Sequence, residues 1–189
     1  MAKFTKKAIM FSFMELLEER QLDKITVKDI CEACEINRNT FYYYYRDIYD
    51  VLTEVFVVEK EKVLKDLGED ASFYEEYRKC AAVFLNYKKA IIHIYKSKSK
   101  DILSEYLETV TINLVERFVR KKAKIAKLSE NDIDYITKFY SYSIIGHTIK
   151  WIEDGLIEYR EDLLKKIANT FDNTIDAMIQ SCKSENQTN

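Results

Sequence analysis

The 189-residue, 22.5 kDa chain holds no proline, three glycines and 47% hydrophobic residues, enough for a sizeable core and too few breakers for an all-β fold. A net charge of −2 and a pI near 5.9 exclude a strongly basic, non-specific nucleic-acid coat. No apolar stretch approaches a membrane span and the N-terminus lacks a signal-peptide pattern, so a cytoplasmic location without a membrane partner is expected.

Apolar residues recur at three- and four-residue spacing almost throughout, which predicts an all-α chain of about nine helices. The first runs from about Phe4 to Glu19, with Ala8, Phe11 and either Met14 or Leu16 and Leu17 turned inward. After a short connection at Gln21–Lys24, Thr26 and Asp29 form a capping-box pattern that starts a second helix, ending near Ala33 or Cys34. Asn37 is the N-cap of a third helix reaching Tyr44. Asp47 caps a fourth that continues to Leu67, where Gly68 supplies a stop. Further helices are expected at about 72–87, 88–97, 100–124, 130–154 and 160–182. Ser129 opens the 130–154 helix and Gly155 closes it, while residues 183–189 form a polar, frayed tail.

The cysteines offer little chemistry. Cys31 and Cys34 form a C-x-x-C, but Cys80 and Cys182 stand alone and the two histidines, His93 and His147, lie far off in sequence. Cys31 and Cys34 read as small packing residues on one helix, and no metal or cofactor is expected. No nucleophile–base pair or phosphate-cradling glycine run is present in recognisable spacing, so the chain does not read as an enzyme.

Three short helices with a tight turn between the second and third are the helix-turn-helix arrangement, in which one helix braces and the next lies in the major groove. On a helical wheel Phe41 and Tyr45 share a core face with Ile36, while Asn39, Thr40, Tyr42 and Tyr43 point away, Tyr43 most directly. Arg38 and Tyr44 sit at the boundary. Five consecutive aromatics from Phe41 to Tyr45 circle the helix and cannot all face inward, so several are exposed as a contact surface. Arg pairs with guanine O6 and N7, Asn with adenine, and Thr and Tyr hydroxyls reach phosphate. Thr26 and Lys28, at the start of the bracing helix, meet the DNA backbone, and Lys3, Lys6 and Lys7 add a basic arm. The expected DNA-contacting set is Thr26, Lys28, Asn37, Arg38, Asn39, Thr40, Tyr42, Tyr43, Tyr44 and Arg46.

The segment from Ile25 to Leu52 resembles the TetR/AcrR family of bacterial regulators, whose pattern falls here on Thr26, Val27, Asp29, Ile30, Thr40, Phe41, Tyr42, Tyr45 and Leu52. The likeness covers roughly residues 4–56. Three positions depart from it: Glu35 replaces a turn glycine, Tyr45 a phenylalanine, and Ile48 a lysine that touches phosphate, a contact Arg46 is placed to take over. The Arg46-Asp-Ile-Tyr-Asp50 form reads as a trait of a low-GC bacterial subgroup. The resemblance implies a DNA-binding domain over residues 1–50, a connecting helix over 51–68, an effector-binding and dimerisation domain over 69–182, and the tail. It further implies a homodimer on a pseudo-palindromic double-stranded operator, most often a repressor released by a small-molecule effector; the alternative is an adaptor or co-activator controlled by a protein partner.

The sequence supports part of that second domain independently. On the 130–154 helix, Ile133, Ile136, Tyr140, Ile144, His147 and Trp151 make one apolar stripe, and Phe139, Tyr142, Ile145, Ile149 and Ile152 a second. The second stripe is expected to meet a partner subunit at Tyr142, Ile145, Gly146 and Ile149, with Phe171, Ile175 and Met178 of the last helix completing an isologous interface. Tyr77, Tyr87, Tyr106, Tyr140, His147 and Trp151 are candidates for a ligand pocket, though each aromatic taken alone reads more simply as core. The basic run Lys121-Lys122-Ala123-Lys124 reads as a solvated helix end.

Overall fold

The computed structural model describes residues 2–65, 71–157 and 161–188, with side chains from 4 and up to 183. Gly68, Lys3's side chain and the end of the expected fourth helix lie outside the described residues. Among the described residues there are nine α-helices and one 3-10 turn at Leu22–Lys24, and no strand. The helices are α1 Ala2–Glu19, α2 Val27–Ala33, α3 Arg38–Tyr44, α4 Ile48–Lys65, α5 Phe73–Asn86, α6 Lys88–Tyr95, α7 Lys100–Ala126, α8 Glu130–Glu153 and α9 Glu161–Thr188. None of them is long and apolar enough to cross a membrane.

The starts follow local chemistry. Thr26, Asn37 and Ser129 each accept a hydrogen bond from the backbone N–H three residues on, and Asp47 accepts from both Tyr49 and Asp50. Gly155, at φ +80°, closes α8: its N–H reaches Ile152 O and the N–H of Leu156 reaches Trp151 O, a Schellman end. The polar segment after Cys182 continues as helix to Thr188 rather than fraying there, since neither glycine nor proline interrupts it.

The chain divides into two compact units. The first combines residues 1–62 with 84–106. Its core holds Ile9, Phe13 and Leu17 of α1 with Leu22, Ile30, Phe41 and Leu52, all fully buried. Burying side chains of this size stabilises by about 1.5–3 kcal/mol each. On α1, Leu16 and Leu17 are buried as expected, but farther toward the start the inward residues are Ile9 and Phe13, whereas Ala8 is exposed and Phe11 is 65% exposed. Helix α6, expected with the second domain, belongs here. Its Ala90 N–H donates to the Glu18 carboxylate at 3.2 Å, His93 Nδ1 lies 2.6 Å from Leu17 O, and Lys98 N–H donates to Asp23 at 3.2 Å. Three polar links to the end of α1 and the turn after it, together with buried Ala90, Ile91 and Ile94, account for the grouping.

The second unit combines residues 63–83 with 107–189. Phe171 of α9 stacks on Phe73 of α5 at 4.1 Å, and Phe118 of α7 and Tyr140 of α8 meet these rings edge-on. Arg120 bridges to Glu130 at 2.9 Å and Lys122 to Asp176 at 2.8 Å, fastening α7 to α8 and α9 at the surface. Lys122 is thus an ion-pair partner, not merely part of a solvated helix end.

Candidate nucleic-acid interface

Helix α2 is fixed at its start by a reciprocal pair: Thr26 Oγ1 accepts from Asp29 N–H at 3.2 Å, and the Asp29 carboxylate accepts from Thr26 N–H at 2.8 Å. The hydrogen bonds from Thr26 hold the Asp29 carboxyl below the usual carboxylate range, aided by Arg20 at 3.6 Å. At the other end, Ile36 N–H donates to Cys31 O at 3.0 Å and Glu35 N–H to Glu32 O at 3.4 Å. That pattern is a Schellman motif, and Glu35 occupies its left-handed position at φ +54°. A side chain there costs on the order of 1 kcal/mol. Cys31 is buried and the Cys34 thiol donates to Ile30 O at 3.0 Å; desolvation pushes both thiols up, as packing residues require.

The turn delivers Asn37, whose side-chain oxygen accepts from the Thr40 N–H at 2.8 Å and from the Thr40 hydroxyl at 3.1 Å, starting α3. Phe41 is fully buried and Tyr45, the C-cap in extended conformation, is nearly so. The other side of α3 is open: Tyr43 is 80% exposed, Tyr42 is 55% exposed, and Arg38 and Asn39 are exposed without an ion-pair or hydrogen-bond partner among the described residues. Tyr44 is half-buried and packs edge-on against Tyr43 at 4.9 Å.

The expected contact residues therefore divide. Arg38, Asn39, Tyr42 and Tyr43 form one exposed, uncommitted face. Thr26, Asn37 and Thr40 spend their side-chain oxygens on helix starts, leaving Asn37 its amide N–H groups. Lys28 sits 3.6 Å from Glu32, and Arg46 is held by Asp50 at 3.2 Å, which raises the guanidinium pKa and lowers that of the carboxyl. Ile48 is buried, so it offers nothing to phosphate.

Sequence reasoning missed how α1 supports this face. Lys6 bridges to Glu54 of α4 at 3.0 Å and stands 5.3 Å from the centre of the Tyr45 ring. The lysine's place at the start of α1 was legible; its partners, 39 and more residues away, were not.

The expected pocket residues divide between the two units. Tyr106 belongs to the first unit, stacked on Phe56 at 4.4 Å, and Tyr87 to the same unit. In the second unit Tyr77 is buried and hydrogen-bonded to Thr148, and burial pushes its hydroxyl up to about 12. Trp151 is half-buried. Tyr140 and His147 share a cleft there, of about 210 Å3 between α8 and α9, with Ser143 and Lys166 beside them. The Tyr140 hydroxyl is already 2.8 Å from Thr174 Oγ1, whereas His147 is exposed, off the buried stripe expected to hold it.

The expected dimer residues also divide. Tyr142 and Gly146 are exposed and Ile145, Ile149 and Met178 are half-buried. Phe171 and Ile175 are 1% and 0% exposed within the single chain, because the rings of Phe73, Phe118 and Tyr140 surround Phe171 and the heptad-like run on α9 faces its own core. They cannot form a subunit interface. Ile152 likewise joins the buried side of α8, leaving Tyr135, Phe139 and Tyr142 as its exposed aromatic stripe.

Residues 14–55 match the family described as bacterial regulatory proteins, tetR family, and residues 72–173 match a transcriptional regulator C-terminal region. An HTH-type transcriptional regulator of Bacillus subtilis, YxbF, is 26% identical over 82 residues, 43% of this chain but only a fifth of that relative's length. The fold is shared with the dihydroxyacetone kinase operon activator DhaS at TM-score 0.75 and 19% identity, covering 92% of this chain and 97% of that one. It is shared too with a TetR transcriptional regulator from Streptococcus agalactiae at TM-score 0.64 and 24% identity, covering 89% and 94% of the two chains.

Proposed function

The chain belongs to the TetR family of transcriptional regulators, and from that premise we propose that it is a dimeric, sequence-specific DNA-binding repressor released by a small-molecule effector. The observation that carries the DNA-reading part is the exposed, uncommitted face of α3: Arg38, Asn39, Tyr42 and Tyr43, held outward by the Asn37 cap and the buried Phe41. Arg38 and Asn39 read base edges, and Tyr42 and Tyr43 contact phosphate and thymine methyl groups. Lys28 and Arg46 approach the backbone by exchanging their carboxylate partners for phosphate. That exchange costs little, since both ion pairs are solvent-exposed.

Two recognition helices reading a pseudo-palindrome require a dimer, with half-sites about 34–36 Å apart or a multiple of it. The surface assigned to dimerisation is the exposed stripe of α8, Tyr135, Phe139 and Tyr142, with Gly146, where an added Cβ would meet nothing within 4 Å. For the effector, the second unit offers the α8–α9 cleft and the buried hydroxyls of Thr137 and Ser141, which have no hydrogen-bond partner among the described residues. A ligand bound there shifts the half-site spacing by selecting one of two states.

A second reading is favoured by the likeness in fold to DhaS, a protein named as an operon activator. In it the same exposed aromatic stripe docks a protein partner and the chain activates.

Selection of bound duplexes from a random pool, followed by a salt titration, tests the proposal. An enriched palindrome with a steep inverse salt dependence supports it; a pool without enrichment overturns it. Sedimentation of the free chain and of its complex decides dimerisation, and reporter expression with and without the gene separates repression from activation.

A further inference from the structure

The first unit contains a groove of about 420 Å3 that DNA reading does not use. Its walls are Met10, Phe11 and Met14 of α1 and Val55 and Val58 of α4, with Tyr87 at one end. Phe11, 65% exposed, lies in mid-helix with its ring over this gap, and the two methionines give the wall adaptable thioethers. The size and the predominance of apolar and aromatic lining are those of a small-molecule site.

Charge is distributed unevenly along the groove. Lys6 pairs with Glu54 near its first end, where Lys7 is its only charged lining residue. At the other end Glu18 caps α6 through Ala90 N–H, directly after Tyr87, and Glu15, Glu18 and Glu59 outnumber Lys62 three to one. Lys62 is bonded to Glu59, so the charges of Glu15 and Glu18 are left without a cation among the described residues. An acidic end beside the Tyr87 ring matches an ammonium group, which both carboxylates and an aromatic face attract.

We propose that this groove binds a small amphiphilic cation, its apolar body along Phe11, Met10 and Met14 and its ammonium at Glu15 and Glu18. Bound there, it lies between α1 and α4, whose Lys6–Glu54 bridge and Lys6–Tyr45 contact hold the C-cap of α3. Occupancy therefore weakens DNA binding, and DNA weakens occupancy by the same factor. This coupling rests on the DNA-reading function proposed above; the binding itself does not.

The full chain is titrated with rod-shaped trimethylammonium-diphenylhexatriene, followed by fluorescence, with neutral diphenylhexatriene and its propionate derivative for comparison. The cation is expected to bind tightest and the propionate weakest. Phe11→Ser, at an exposed position, lowers affinity for the cation and the neutral probe by about tenfold, and Phe11→Tyr restores it. Glu15→Gln lowers cation affinity about fivefold and leaves the neutral probe unchanged. Ile125→Ser, at an exposed position of α7 outside both the groove and the α8–α9 cleft, changes neither. Equal binding of cation and propionate, or parent-like binding by Phe11→Ser, overturns the site. If the site holds but no DNA is selected, the DNA-reading function fails alone. If DNA binds and leaves cation affinity unchanged, the coupling is overturned.

Discussion

The Tyr45 hydroxyl is buried without a hydrogen bond among the described residues, while the Lys6 ammonium stands 5.3 Å from the centre of the same ring and bridges to Glu54. The ring is therefore well used and its hydroxyl is not. Burial, with Glu54 and Asp50 nearby, also pushes the phenol pKa well above its ordinary value, so it stays neutral.

Tyr45→Phe is accordingly expected to stabilise the first unit by about 1 kcal/mol, because it removes an unsatisfied buried oxygen and retains the cation–π contact. Urea denaturation reads this directly. A loss of stability means that the hydroxyl has a partner in solution.

Glu35→Gly is expected to raise stability by about 0.5–1 kcal/mol and the melting temperature by a few degrees. The residue is exposed and left-handed at the end of α2, so glycine removes strain at no packing cost. Glu35→Val, β-branched, shifts the melt the other way.

The Asp29 carboxyl has a folded-state pKa below its unfolded one, through the capping hydrogen bonds from Thr26. Its contribution is fully present above the unfolded value, near pH 4, and is lost as pH falls through the folded one. Stability measured against pH should decline on this acid limb. Asp29→Asn flattens that decline and costs about 1 kcal/mol at neutral pH, from the weakened cap. An unchanged acid limb assigns the decline to other carboxylates.

Arg38→Ala and Tyr43→Ala should each weaken a selected operator by about 1–3 kcal/mol with the melting curve unchanged, since both side chains are exposed. Asp50→Asn, which releases Arg46, should strengthen binding to all sequences alike and steepen the salt dependence. Competition binding at two salt concentrations separates base reading from backbone contact.

These residues also mark how far the sequence was legible. Thr26, Asn37, Ser129 and Gly155 announced helix ends because caps act within three residues of chain, and the exposed side of α3 followed from five adjacent aromatics. On α1 Leu16 and Leu17 were legible, but Ile9 and Phe13 were not: apolar residues from Ile9 to Leu17 nearly encircle the helix, and part of what its inward side meets is α6, some seventy residues on. Nor did periodicity reveal what a buried stripe faces. Phe171 and Ile175 have the spacing of an interface, yet they pack inside their own subunit.

That distinction yields a paired prediction. Phe171→Ala should cost about 3–5 kcal/mol, because it empties the space between Phe73, Phe118 and Tyr140, and it should unfold the second unit before any effect on association is read. Among the described residues, replacing Tyr135, Phe139 or Tyr142, each more than half exposed, gives up the Tyr135–Phe139 ring contact, the edge contact of Phe139 with Tyr140 and the Tyr142 hydroxyl bond to Glu108. Phe139→Glu should therefore leave the unfolding midpoint nearly unchanged and convert a sedimenting dimer to monomer, since an unpaired carboxylate would be buried at the centre of the stripe. If Phe139→Glu still sediments as a dimer, the exposed side of α8 is not the subunit interface. It then becomes the surface on which a partner protein should be sought.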